Sequence, residues 1–326
     1  MTRARRMTLF VVVVGATVAV IVAYVVAAAL NGGQDDVVGA RAAVGAPIAK
    51  GDLLLLDRDR VHAKAWGRLV IVSGGRRRLG ALTCERVAFA AGAGICLAQS
   101  RTFPTPGYEA RFFDARQHVT GKLGLSGTPS RARVSPDGRW ASSTTFVSGD
   151  AYTTPGAFST RTTLYDVGAR RPLGELESFS VTRDGQDLHR ADFNFWGVTF
   201  VGTTGAFYAT LASGDHHYLV RGDVHAKRVV VVRDGVECPS ASPDGTRIGF
   251  KARVGKPFQW RFHVLDIKTG RETELPGDHS VDDQIAWLDD QHLAFGDGEE
   301  VMTVPADGSA PPRLYMKSAT NPNRVQ

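Results

Sequence analysis

The sequence predicts an all-β chain, a six-bladed β-propeller preceded by a single N-terminal transmembrane helix, and three observations carry that expectation. Ser-Pro-Asp-Gly occurs twice, at Ser135–Gly138 and Ser242–Gly245, each time leading into a run that reads as a β-strand. A second shape, apolar strand, polar turn and second strand, recurs six times. An uncharged stretch, Thr8–Leu30, precedes them all. In the tetrapeptide, Pro136 and Pro243 preset φ at the first turn position. Asp137 and Asp244 bond to the backbone two residues on, and Gly138 and Gly245 supply the positive φ that closes the turn. A tight turn between short strands, repeated at long intervals, points to a repeated sheet, and a propeller is such a fold.

Taken in order, residues 1–7 read as a cytoplasmic stub carrying Arg3, Arg5 and Arg6. Thr8–Leu30 is long enough to cross the roughly 30 Å of a bilayer's hydrocarbon. The next basic residue after the stub is Arg41, so the positive-inside bias leaves the N-terminus in the cytoplasm and exports the rest. The competing reading is a cleaved signal peptide with Ala27-Ala-Ala29 as its cleavage site. The apolar run exceeds the usual 7–15 residues of such a peptide, which favours an uncleaved anchor. Residues 31–49, with Gly32–Pro47 rich in Gly, Ala and Asp, read as a flexible tether. The expected propeller spans 50–318, and 319–326 is expected to be a C-terminal tail.

The six outer hairpins are Leu69–Leu82, Arg111–Leu123, Leu164–Leu176, Leu219–Val232, Val264–Leu275 and Val301–Leu314. Their intervals are close to the roughly 40–45 residues of a four-stranded blade, with two of them stretched. Inner hairpins precede them in weaker form at Val87–Leu97, Val198–Leu211, Ser242–Phe250 and Ala286–Phe295, while Lys50–Leu56 supplies only a second strand. The first unit therefore lacks an evident innermost strand. A strand donated from the other terminus would complete the ring and remove its open edge.

These runs resemble the propeller of the TolB family, whose blades carry Ser-Pro-Asp-Gly followed by a strand ending in Ala-Phe or similar. The resemblance covers about Lys50 to Met316 and is strongest at the two tetrapeptides. It implies a β-propeller fold, and the propellers of prolyl-oligopeptidase-type enzymes use the same turn. TolB proper has a separate α/β domain before its propeller, and here only residues 31–49 separate the apolar stretch from the first strand.

The chain has 39 Lys and Arg against 33 Asp and Glu, a formal charge of +6, and Arg3, Arg5 and Arg6 supply half of that excess. So small a balance on the exported part gives no footprint for nucleic acid. Three cysteines are present. Cys84 and Cys96 flank the Ala88–Gly94 loop near facing positions of the hairpin, so a bridge across the two inner strands of blade two is expected in an oxidising compartment. Cys238 reads as a buried small apolar residue without a partner.

Enzymatic motifs are missing. Gly124-Leu125-Ser126-Gly127-Thr128 fails G-x-S-x-G at its last position, and no H-E-x-x-H, P-loop or paired C-x-x-C occurs. No cofactor is expected. Asp215-His216-His217 with His225, His189 and Asp192 offers metal-ligand types, but neighbouring histidines on a strand point opposite ways. Arg221-Gly-Asp223 and Gly296–Glu300 fall in ordinary hairpin turns of the repeat.

The stretched segments, Val147–Arg161 and Glu177–Trp196, are the remaining candidates for function. Insertions on a rigid ring project where they are presented to partners. Their aromatic residues Tyr152, Phe158, Phe193 and Trp196 suit a binding surface. Phe195 reads instead as an inner strand residue packed between blades. The expected function is a membrane-anchored, extracytoplasmic module that binds an envelope protein or glycan without catalysis. The alternative is an enzyme, or a carbohydrate or small-molecule binder, that uses the central channel. Catalysis there would need carboxylates or histidines converging from several innermost strands, and few are available.

Overall fold

The computed structural model describes residues 46–61, 65–100, 107–147, 159–255, 259–277 and 281–326, with Arg5, Thr17, Val20 and Val22. Apart from those single positions, the expected stub, anchor Thr8–Leu30 and most of the tether lie outside the described residues. No helix of the described residues is long and apolar enough to cross a membrane.

Blade one begins with β1 (Leu53–Asp57), β2 (Arg68–Ser73) and β3 (Arg76–Thr83). Blade two is β4 (Arg86–Ala90), β5 (Ala93–Ser100), β6 (Gly107–Asp114) and β7 (Val119–Leu125). Blade three is β8 (Thr128–Val134), β9 (Trp140–Val147), β10 (Ser159–Asp166) and β11 (Arg171–Glu175). A 3₁₀ turn, Leu176–Ser178, and two short strands, β12 (Ser180–Arg183) and β13 (Gln186–Leu188), follow. Blade four is β14 (Asn194–Phe200), β15 (Ala206–Ser213), β16 (His216–Asp223) and β17 (Arg228–Asp234). Blade five is β18 (Glu237–Ala241), β19 (Arg247–Arg253), β20 (Trp260–Asp266) and β21 (Glu272–Glu274). Blade six is β22 (Ala286–Trp287), β23 (His292–Asp297), β24 (Glu300–Pro305) and β25 (Arg313–Lys317).

The last strand, β26 (Ala319–Arg324), returns to blade one and pairs antiparallel with β1, Leu53 opposite Arg324. Residues 319–326 are therefore no tail. Their polar composition, Ala-Thr-Asn-Pro-Asn-Arg, hides an innermost strand that uses its side chains as ties. The Asn323 side-chain oxygen accepts the Phe89 N–H at 3.0 Å, and the Asn321 amide donates to the Val87 carbonyl at 2.8 Å. Both partners lie on β4, so β26 closes blade one and clasps blade two. The ring also extends past residue 50 at its start, where the Ile48 N–H bonds to the Ala115 carbonyl at 2.8 Å.

The inner strands of the blades are buried on both sheet faces, which explains their unbroken apolar runs. In β1, Leu54 and Leu56 pack toward Val87 and Phe89 of blade two. Leu53 and Leu55 pack the other way, toward Ala294 and Val301 of blade six. The same alternation fills the remaining interfaces, with Phe112 against Tyr165, Phe195 with Trp140, Tyr208 with Ile248, and Phe262 with Phe295. The four leucines of β1 are fully buried, each contributing about 1.5–3 kcal/mol of burial free energy.

The two Ser-Pro-Asp-Gly turns are wired alike. Ser135 Oγ donates to Asp137 at 2.6 Å and accepts the Trp140 N–H at 2.9 Å, while Asp137 accepts the Arg139 N–H. Ser242 accepts the Arg247 N–H at 3.0 Å and Asp244 accepts the Thr246 N–H at 3.0 Å. Gly138 and Gly245 have φ of 73° and 70°, the left-handed conformation that favours glycine there. These turns end the innermost strands of blades three and five, so they gather on one face of the ring.

The Cys84–Cys96 disulfide forms, with the Cα atoms 5.5 Å apart, but not as a pair within the hairpin. The register sets Val87 opposite Cys96, and Cys84 lies before β4, in the link from β3. The bridge thus staples the connection between blades one and two to blade two. Cys238 is a buried free thiol.

Part of Glu177–Trp196 also departs from expectation. Its β12 pairs in parallel with β17, Val181 beside Val229, and β13 extends that edge to make a six-stranded sheet. This part of the insertion covers the outer edge of blade four and lies away from the channel.

Candidate functional site

The innermost strands of all six blades surround a central channel, and its two ends differ. The wider mouth lies on the face of the Ser-Pro-Asp-Gly turns. Its walls include Ala90, Pro136, Gly202, Ser242, Trp287 and Asn323, one residue from each blade in turn. The space there is about 70 Å³, enough for about five waters or one inserted side chain. Neither a carboxylate nor a histidine side chain lines this mouth among the described residues. Hydroxyls of Ser240, Ser242 and Thr199 and the guanidinium groups of Arg133 and Arg324 supply its polarity.

Farther in, the channel narrows to about 10 Å³, walled by Arg86, Arg131, Arg133, Asp283, Gln284 and Asn321 among others. The β-strand period places Arg131 and Arg133, two apart on β8, on the same side of that strand. Arg86 gives its N–H groups to the carbonyls of Ser130 at 2.6 Å and Glu85 at 2.8 Å. Arg133 gives its own to the carbonyls of Ala132 and Ile285, both at 3.2 Å. Arg131 bonds Ser130, the Asp282 carbonyl and, at 3.9 Å, the Cys238 sulfur, while its Nε is buried without a partner. The nearest carboxylate to Arg131, Asp282, stands at 3.5 Å and is held more closely by the fully buried Lys251 at 2.6 Å. Burial pushes Arg133 down to about 10, and Arg131 adds to the shift while Asp283 opposes it. Burial likewise lowers Arg86. Burial works against the charge of Asp282, but Lys251 and Arg131 outweigh it and hold the carboxyl below the usual range.

The residues expected to bind fall elsewhere. Tyr152 and Phe158 lie outside the described residues. Phe193 is half-buried and packs on the core between blades three and four, its ring 6.3 Å from Phe195. Trp196 is buried in β14 beside Ala212 and Cys238, edge-on to His217, and so is not part of an exposed aromatic surface. Asp192 ties this segment to the β15–β16 turn by accepting from Ser213 Oγ and the Gly214 N–H.

No group of three or more metal-ligating side chains is assembled among the described residues. His217 faces Glu237 and Arg253, His216 stacks on Tyr218, and His225 meets Trp140 edge-on. Asp223 caps its own turn by accepting the His225 N–H.

The chain is thus a six-bladed propeller with antiparallel four-stranded blades, one of them extended, whose channel is polar at the mouth and cationic within. More particularly, its fold is similar to that of the TolB propellers. TolB from Acinetobacter baumannii superposes over 85% of this chain and 67% of its own, with a TM-score of 0.59 and 17% identity. A TolB candidate from Agrobacterium tumefaciens superposes over 83% of this chain and 90% of its own, with a TM-score of 0.51 and 9% identity. Neither a family model nor a curated protein matches the sequence.

Proposed function

We propose that the chain is a membrane-anchored, extracytoplasmic propeller that binds a protein or envelope ligand at the mouth of its channel and performs no chemistry on it. The observation that carries this reading is the mouth's lining. All six blades contribute to it, yet among the described residues no carboxylate or histidine side chain converges there to act as acid, base or metal ligand. What remains are hydroxyls, guanidinium groups and the carbonyl-rich ends of rigid strands, groups suited to recognition. The TolB-like fold supports a binding role. The uncharged Thr8–Leu30 behind three arginines, and the Cys84–Cys96 bridge, support anchoring and export.

Site-specific photo-crosslinking in cells tests the reading. A crosslinking residue at Ser240, in the mouth, is expected to capture one discrete envelope component, and the same residue at Arg313, on an outermost strand, to capture none. Equal capture at both positions refutes binding at the mouth. Protease added to spheroplasts is expected to reach the propeller, and protection from it refutes export.

A further inference from the structure

We propose that the narrow part of the channel is a carboxylate-binding site built by Arg86, Arg131 and Arg133. The inference deepens the reading above and rests on it in taking the channel as the ligand's path.

The argument begins with charge. Arg86 and Arg133 are bonded to backbone carbonyls, and among the described residues neither stands within ion-pair distance of a carboxylate. Arg131 shares Asp282 with Lys251, which holds it nearly an ångström closer. Asp283 is the other carboxylate at this level, and its Oδ1 accepts the neighbouring Gln284 N–H at 2.8 Å. Four cations therefore meet two carboxylates: Asp282, an exposed side chain held by Lys251, and Asp283, whose charge favours all three arginines without standing within ion-pair distance of any of them. Buried cations are ordinarily matched by an anion, because leaving them unmatched costs far more than pairing them. The excess of two positive charges leaves a place for an anion from outside the fold.

Shape narrows its class. A guanidinium offers parallel N–H groups in a plane, which a carboxylate meets with two oxygens. The unpartnered Arg131 Nε is one such donor. The narrow space of about 10 Å³ has the room of about one water, so a carboxylate enters only by displacing that water and shifting the surrounding side chains. A tetrahedral phosphate or a sugar ring demands a larger shift. Arg133 lines both the mouth and the narrow part, so an acid entering from the mouth meets it first and the other two beyond. Beside them, Gln284 donates to the Pro239 carbonyl at 2.7 Å and keeps its buried Oε1 free for a water or a ligand N–H.

Titration calorimetry on the full chain in detergent tests the proposal with four probes at matched ionic strength: succinate, N-acetyl-Gly-Glu-Gly-amide, its Gln counterpart, and inorganic phosphate. Saturable binding of succinate, of the Glu peptide or of both is expected, with none by the Gln peptide. Preference for succinate identifies a free acid as the source, and preference for the peptide identifies an acidic side chain. Arg133→Gln and Arg86→Gln should each weaken binding by about tenfold or more, and Arg313→Gln should leave it unchanged. Arg133→Met supplies an independent readout. It should raise the urea midpoint of the ligand-free chain, because an unmatched buried charge is removed, while abolishing succinate binding. Binding of neither carboxylate, binding that survives both Gln variants, or tighter binding of phosphate overturns the proposal. If crosslinking at Ser240 succeeds while both carboxylates fail, the mouth remains a binding site and only the carboxylate assignment falls.

Discussion

Glu177 offers a quantitative test of how blades three and four are held together. Its carboxylate accepts the Thr162 N–H at 2.9 and 3.0 Å, the Phe195 N–H at 3.3 Å and the Thr160 hydroxyl at 3.2 Å. Thr160 and Thr162 belong to β10, and Phe195 to β14 of the next blade. Burial nevertheless pushes Glu177 up to about 7, the donors only partly offsetting the loss of water. A folded value above the unfolded one means that the folded chain holds more protons between about pH 4.5 and 7. Stability from this group is therefore full below that window and is lost as pH rises through it. About two and a half units correspond to about 3 kcal/mol. Glu177→Gln removes the titration. Urea unfolding followed by tryptophan fluorescence at several pH values gives both stabilities. Their difference, wild type minus variant, should fall by about 3 kcal/mol between pH 4.5 and 8. A difference that stays flat, or rises with pH, would falsify the dominance of burial and show that the donors keep Glu177 ionised.

Three further outcomes are expected. Replacing Cys84 and Cys96 together by Ala should cost about 3 kcal/mol in urea titrations under oxidising conditions, from the short loop that the bridge closes. A loss below about 1 kcal/mol would contradict this reading. Gly138→Ala should lower the melting temperature more than Gly245→Ala. Both glycines have positive φ, but a Cβ at 138 meets the Ala90 carbonyl oxygen at 3.0 Å, whereas at 245 the nearest contact is Val201 Cγ1 at 3.3 Å. Equal losses would show that backbone strain alone governs the cost, because the two φ values are nearly the same. Asn323→Ala leaves the Phe89 N–H without its partner, at a cost of about 1–3 kcal/mol. Hydrogen exchange at Leu53–Asp57 should accelerate with it, and unchanged protection would show that the tie adds nothing to closure.

The outer hairpins were legible because each joins an apolar strand to a polar, glycine-bearing turn within a dozen or so residues. Local chemistry is enough to find such a unit. The disulfide is legible by proximity in sequence, but its place is not, since β4 begins only at Arg86 and its register sets Val87, not Cys84, opposite Cys96. A strand donated from the other terminus was expected and β26 is that strand, but its place in 319–326 was hidden because the sequence there lacks the apolar run that marks the other strands, its stability coming from Asn321 and Asn323 and from β1. β12 escaped because parallel pairing with β17 leaves no local signal. Trp196 was read as exposed because an aromatic in a long connection looks the same whether it covers a surface or starts the next strand. A signal for the channel is present in Arg131 and Arg133, two apart just before the Ser135–Gly138 turn, but charge matching depends on distant segments such as Asp282 and Asp283.

The pairing of β26 with β1 also fixes an order of events. β1 is among the first strands to leave the ribosome, and its innermost neighbour is among the last, with every other blade made in between. Contacts this distant along the chain form slowly, because the whole intervening length must first be brought to heel. Until then Leu53–Leu56 border an unpaired edge, a template for strands of other molecules. A chain exported in an extended state would carry that exposed edge across the membrane. Its folding yield should therefore depend on how soon the last residues follow the first.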